Sequence, residues 1–240
     1  MNERKPKVSS LLGVGLYSVP QAAKLVSLRK DTTVSSQAIN YWLWPRGKNG
    51  LAPANGLWEP KLPRLHGGKF LSFHDLIEVL VVAHFRHHRF SLQKIRRFIA
   101  VATQLFEHPY PFSHVRFKSW GIGKMVAEVC TEDQEFFAFE LESGQLLLDF
   151  IRDQLTSCLD YSADELLANR WWPLGRESAV VIDPARQFGR PIVSEAAIPT
   201  AALFAAHQAE KSAEAVAHWF GVSEKSVEDA VTYEELLRAA

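Results

Sequence analysis

Residues 45–70 hold nine helix breakers: Pro45, Gly47, Gly50, Pro53, Gly56, Pro60, Pro63, Gly67 and Gly68. Proline removes a backbone donor and clashes with the preceding turn, and glycine carries the largest entropy cost of ordering. A stretch this dense in both cannot be helical and reads as turns or a β-wing. It separates two short helices from the longer ones that follow. Lys48, Lys61, Arg64, His66 and Lys69 make the same stretch basic.

Serine caps mark where the helices begin. Ser18-x-x-Gln21 forms a capping box ahead of Val19, Ala22, Ala23 and Leu25. Ser35 caps a second short helix that turns Ala38, Ile39 and Trp42 inward and Gln37, Asn40 and Tyr41 outward. Two short helices with hydrogen-bonding groups on the outer face of the second form the helix-turn-helix pattern. Ser72-x-x-Asp75 starts a long helix to about residue 89, apolar around most of its circumference and therefore expected to be buried. Ser91 starts another, with Leu92, Ile95, Ile99, Ala102 and Phe106 along one stripe.

The middle of the chain changes character after His108-Pro109-Tyr110-Pro111. Hairpins are expected over 115–129 and 136–149, and short helices near 149–157 and 162–168, the latter from a Ser162-x-x-Glu165 capping box. Trp171-Trp172-Pro173 punctuates a boundary. Ala179–Ile182 reads as a strand, with Ile192-Val193 pairing back to it. Three helices follow, at about 200–209, 212–220 and 223–238, with Ser212 and Ser223 at N-caps and Gly221 in the turn between the last two.

A net charge of zero conceals a split. Residues 1–108 carry +10, residues 109–175 carry −6 and residues 176–240 carry −4. A basic segment of that size points to nucleic acid. The acidic outer face of the last two helices, with Glu224, Glu228, Asp229, Glu234 and Glu235, would repel phosphate and suits a protein partner.

Tyr17-Ser-Val-Pro-Gln-Ala-Ala-Lys-Leu25, Ser35-Ser-Gln-Ala-Ile-Asn-Tyr-Trp42, Arg64–Leu76 and Phe90–Arg97 together resemble a MerR-type winged helix-turn-helix domain. Val180-Val-Ile-Asp-Pro184, Phe188–Val193, Ile198-Pro-Thr200, Ser212–Ser223 and Val227–Val231 resemble a small trihelical bacterial domain, the domain-of-unknown-function class four-three-three. Proteins that join the two parts across Arg170-Trp-Trp-Pro173 look like VapB-type antitoxins. The sequence departs from the MerR pattern in a long first turn, Val26 to Val34, and in a wing insert, Lys48 to Pro63. The long C-terminal coiled-coil helix of MerR regulators is absent too.

The organisation expected is α+β, mainly α. It comprises a flexible tail at 1–14, a MerR-like domain at 15–108, a β-containing connecting segment at 109–175 and a trihelical antitoxin-type domain at 176–240. The resemblance implies an antitoxin that binds a PIN-domain ribonuclease toxin and represses its own operon. The alternative is a MerR-like transcriptional regulator with a ligand- or protein-binding C-terminal domain. Base reading falls to Ser36, Gln37, Asn40 and Tyr41, because amide side chains can bond an adenine edge through two atoms. Phosphate contacts fall to Lys48, Arg64, His66, Lys69, Arg96 and Arg97. Toxin contact falls to Arg186, Arg190 or Arg238, an arginine being able to stand in for metal charge in an acidic nuclease cleft. A homodimer is expected, since operators commonly have two-fold symmetry.

The exclusions are as definite. No phosphate loop, nucleophile elbow or spaced carboxylate pair marks an enzyme. His84, His87 and His88 lack acidic or thiol ligands nearby and read as helix-surface histidines. Cys130 and Cys158 read as ordinary thiols, so neither metal nor cofactor is expected. Trp42 and Trp219 are expected on inner helical faces. No apolar run approaches the roughly 18–20 residues of a membrane helix, and no secretory signal is read, so a cytoplasmic protein is expected.

Overall fold

The computed structural model describes residues 13–28, 32–45, 55–64, 67–115, 117 and 157–240. The fold is α+β and mainly α. Two pairs of helices make up the first half: α1 (Val19–Val26), α2 (Ser36–Leu43), α3 (Phe73–His87) and α4 (Leu92–Phe106). A two-stranded antiparallel sheet joins β1 (Tyr17–Ser18) to β2 (Phe70–Leu71), with Tyr17 opposite Leu71. The second half contains β3 (Leu159–Tyr161), β4 (Ala168–Trp171), β5 (Val180–Ile182), β6 (Pro191–Val193) and β7 (Ile198–Pro199). They pair in sequence order as one antiparallel sheet. Helices α5 (Thr200–Glu210), α6 (Ala213–Phe220) and α7 (Glu224–Ala239) close the chain. Among the described residues no helix is long and apolar enough to cross a membrane.

Six of the seven serines that mark helix starts in the sequence cap a helix as the local chemistry requires. Ser18 and Ser72 form full capping boxes with Gln21 and Asp75. Ser35, Ser91, Ser212 and Ser223 each accept a bond from the backbone N–H three residues on. Helix α3 is the hub of the main core. Twelve of its fifteen residues are buried, including Asp75, Glu78 and His84. Phe85 stacks on Phe98 at 5.8 Å and meets Phe112 edge-on. This core runs on through Cys158, Leu159, Trp171, Val180, Ile182 and Tyr233. Val193, Leu203, Val216, Ala217, Val227 and Ala230 form a second, smaller core among the last three helices.

The sheet runs through the border expected at residues 175 and 176. Trp171 of β4 pairs with Ile182 of β5, so Trp171 is a sheet residue at the heart of the core. The two halves are also clasped directly. The Tyr17 hydroxyl donates to the Gly189 carbonyl at 2.9 Å, and the Leu16 N–H donates to the Phe188 carbonyl at 3.1 Å. Burial pushes the Tyr17 phenol well above its ordinary range. Gly189 has φ +79°, and a Cβ there would collide with the Tyr17 hydroxyl.

Four expectations are corrected. No helix forms over 162–168: Ser162 accepts the Glu165 N–H, but Leu166 turns left-handed at φ +58° and the chain enters β4. Trp219 is 61% exposed, because the buried face of α6 is Val216 and Ala217 and Trp219 lies on the opposite side. His84 is buried, since α3 is enclosed on all sides, and its ring lies 4.4 Å from that of His88. The tail is already anchored at residue 14, where the Val14 carbonyl accepts the Phe73 N–H at 2.8 Å. The expected hairpins over 115–129 and 136–149 lie almost wholly outside the described residues, as do Cys130 and most of the 149–157 helix.

Candidate nucleic-acid interface

Helix α2 has only eight residues, too few to be stable alone. Ile39, Trp42 and Leu43 anchor it in the core. The described end of the wing insert braces its C-terminus: the Leu57 N–H donates to the Trp42 carbonyl at 2.8 Å. Gly56 makes that approach possible, because a Cβ there would strike the Leu43 carbonyl. The insert therefore supports α2 rather than displacing it.

With one face anchored, α2 presents the other. Gln37 is exposed, Tyr41 is 57% exposed, and Ser36 and Asn40 are half-buried. A groove of about 1080 Å³ runs along this face, lined by Gln37, Asn40, Tyr41 and Trp44 on one side and by Lys69, Arg86 and His87 on the other. Among the described residues no aspartate or glutamate lines it. A phosphate approaching the groove therefore meets two cations and, among the described residues, no opposing carboxylate.

Lys69 is set in place by its surroundings. Its ammonium donates to Asn40 Oδ1 at 2.9 Å and lies 4.7 Å from the centre of the Trp44 ring. Asn40 Nδ2 in turn donates to the Ser36 carbonyl at 2.9 Å. Asn40 thus ties the wing lysine to the helix, and its amide has only its second donor and second lone pair to offer a base. Gln37 and Tyr41 are the more exposed polar side chains of this face.

The other expected residues scatter. Arg64, Arg96 and Arg97 are exposed. Arg96 Nη2 donates to the Asn55 carbonyl at 2.9 Å, tying α4 to the insert beside α2. Lys48 and His66 lie outside the described residues. Arg86 is not among the phosphate contacts expected from the sequence, and His87 reads there as a helix-surface histidine near a phosphate or dimer interface, although the basic run Arg86-His-His-Arg89 carries the signal. Arg86 Nη1 donates to the Phe90 carbonyl, which holds its guanidinium at the groove edge.

The three arginines of the last domain differ in setting. Arg186 donates through Nε to Asp183 at 3.0 Å and through Nη1 to the Ser194 carbonyl at 2.9 Å, so it braces a turn. Asp183 is buried and also pairs with Arg170 at 3.1 Å. Arg238 lies 4.0 Å over the Phe204 ring, and Arg190 is exposed. On the acidic face of α7, Asp229 accepts the Ala179 N–H and Glu234 accepts the Thr200 hydroxyl, which leaves Glu224, Glu228 and Glu235 outermost.

Glu78 is the unusual acid. It is buried in α3 and accepts the Ser113 N–H at 2.8 Å and the Ser113 hydroxyl at 3.1 Å. Burial pushes its carboxyl up to about 8, against the opposing pull of those Ser113 donors. Burial also lowers His74, whose Nε2 lies 3.0 Å from the Ala168 carbonyl oxygen. Among the described residues no three His, Cys, Asp or Glu side chains gather as a metal site would need.

No protein-family model matches this sequence, and no curated protein matches it. Among solved structures, the X-ray crystal structure of Rv2018 from Mycobacterium tuberculosis is similar, with a TM-score of 0.68. The likeness covers 92% of this chain and 99% of that one at 19% sequence identity. At that identity the likeness is one of fold: the two chains share an architecture over nearly their whole lengths.

Proposed function

We propose that this chain is a DNA-binding antitoxin, which reads its own operator with α2 and neutralises a PIN-type ribonuclease through its last three helices. The observation that carries the DNA half is the groove along α2, lined by no carboxylate among the described residues, with Lys69 preset by Asn40 and Trp44 and with Arg86 also in its lining. Groove cations position the protein on phosphates, and Gln37 and Tyr41 read base edges. Two copies bind a two-fold operator, since one eight-residue helix reads too few base pairs alone.

The toxin half is supported by the resemblance of residues 180–231 to antitoxin C-terminal domains. The exposed Trp219 and Phe220 supply an aromatic anchor of the kind that dominates protein interfaces. Arg190 and Arg238 remain the arginines suited to an acidic nuclease cleft, while Arg186 is occupied in bracing its turn.

The test is an anisotropy titration of the duplex upstream of the chain's own gene against a scrambled duplex, between about 50 and about 200 mM salt. Tighter binding to its own upstream duplex, with a steep salt dependence, supports the reading. Equal affinity for both duplexes, or no salt dependence, removes operator recognition. A ligand-responsive MerR-like regulator is the second reading, favoured by a cavity where the two halves of the chain meet.

A further inference from the structure

A second hollow, of about 600 Å³, lies between α1 and α7, directly beside the clasp formed by Tyr17 and Gly189. Its walls are mainly apolar, with Leu25 and Phe70 from the first half and Leu237 from the last helix. Small-molecule sites favour such junctions, and this volume falls within their usual range of roughly 300–1,000 Å³.

Two cations stand at the hollow, Lys24 from α1 and Arg190 from the turn before β6. Both are exposed, and neither forms an ion pair among the described residues. Glu234 is the one carboxylate among the lining residues, and it is taken up by the Thr200 hydroxyl at 2.6 Å. The lining therefore joins an apolar floor to two cations that outnumber its one carboxylate.

The rim is strained. Gln187 and Phe188 adopt φ of +48° and +55°, the left-handed region that side chains other than glycine rarely occupy. Such residues are energetically costly and cluster at ligand clamps. The strain holds the Phe188 ring at the mouth of the hollow with 51% of its surface open to water.

We infer that this junction is a binding site for a small amphipathic carboxylate. The apolar body lies on Leu25, Phe70 and Leu237 and is covered by Phe188, and the carboxylate meets Arg190 and Lys24. The ligand touches both halves of the chain, and the strained turn is hydrogen-bonded to the segment leading into α1, so occupancy tightens the clasp. The inference assigns Arg190 to the ligand and leaves Arg238 for a nuclease cleft, and it stands whether or not α2 reads DNA, because its test measures binding at the junction alone.

Isothermal titration calorimetry of the full chain with octanoate and with naphthalene-2-carboxylate tests it, with octylamine as the opposite-charge probe. Saturable one-to-one binding of at least one acid is expected, without binding of the amine. Arg190→Gln and Phe188→Ala should each weaken the acid by about tenfold, a typical loss for one charge-assisted or aromatic contact. Lys61→Gln, a charge change at an exposed site outside the lining of the hollow, should leave it unchanged. No saturable binding of either acid overturns the inference. So does equal binding of octylamine, or unchanged acid affinity in both Arg190→Gln and Lys24→Gln.

Discussion

Glu78→Gln isolates the cost of burying a carboxyl group in the hub helix. The wild-type side chain holds its proton up to about pH 8 in the folded protein, against an ordinary value of 4.5 in the unfolded chain. Below pH 4.5 both states are protonated and the contribution to stability is fully present. Between pH 4.5 and 8 the unfolded chain ionises and the folded one does not, so raising the pH drains stability. At about 1.4 kcal/mol per pH unit the loss across the window is on the order of 5 kcal/mol. Glutamine can still accept the Ser113 N–H and hydroxyl but has no proton to lose. Any cost of placing its NH₂ among the neighbouring backbone donors is constant with pH and cancels in the slope. Urea unfolding followed by tryptophan fluorescence at pH 5, 6, 7 and 8 gives the difference between the two proteins. Wild type should lose several kcal/mol relative to Glu78→Gln as the pH rises from 5 to 8. Parallel profiles would refute the reasoning.

Other consequences follow from the same contacts. Gly189→Ala places a methyl group against the Tyr17 hydroxyl at a left-handed position and should cost about 3 kcal/mol in urea denaturation; an unchanged midpoint would mean that the clasp does not join the halves. Trp42→Ala should cost about 3–5 kcal/mol as a core truncation, whereas Trp219→Ala should shift stability by no more than about 0.5 kcal/mol. Arg86→Gln should weaken all duplexes alike and reduce the salt slope by about one, as loss of a single phosphate contact does. Asn40→Ala should relax sequence preference and release Lys69 from its setting, which compares own and scrambled duplexes in the same titration.

The parts of the fold legible in the sequence are those fixed by neighbours along the chain. Ser18, Ser35, Ser72, Ser91, Ser212 and Ser223 all cap helices, because a cap bond spans only three residues. The outward face of α2 was legible for the same reason, since the helical period alone separates Gln37 and Tyr41 from Ile39 and Trp42. What escaped was set by partners far away. A capping bond at Ser162 does not make a helix when the following residues are drawn into β4 by β3 and β5. Trp219 has the hydrophobicity of a core residue, but α6 is covered on one side only. The Asn40–Lys69 bond crosses 29 residues and the Tyr17–Gly189 clasp 172, and neither leaves a local mark. The groove followed the same division: its α2 wall was legible, and its Arg86 and His87 wall depended on how α3 ends beside α2.

The antitoxin reading rests on a nuclease partner. A tagged full-length chain should be purified from native lysate, its stoichiometric companions identified by mass spectrometry, and their ribonuclease activity assayed with and without added chain. The account predicts a PIN-type nuclease in the eluate whose activity falls as the chain is added back. Recovery of only the chain itself and DNA, with no nuclease at stoichiometric level, would contradict it.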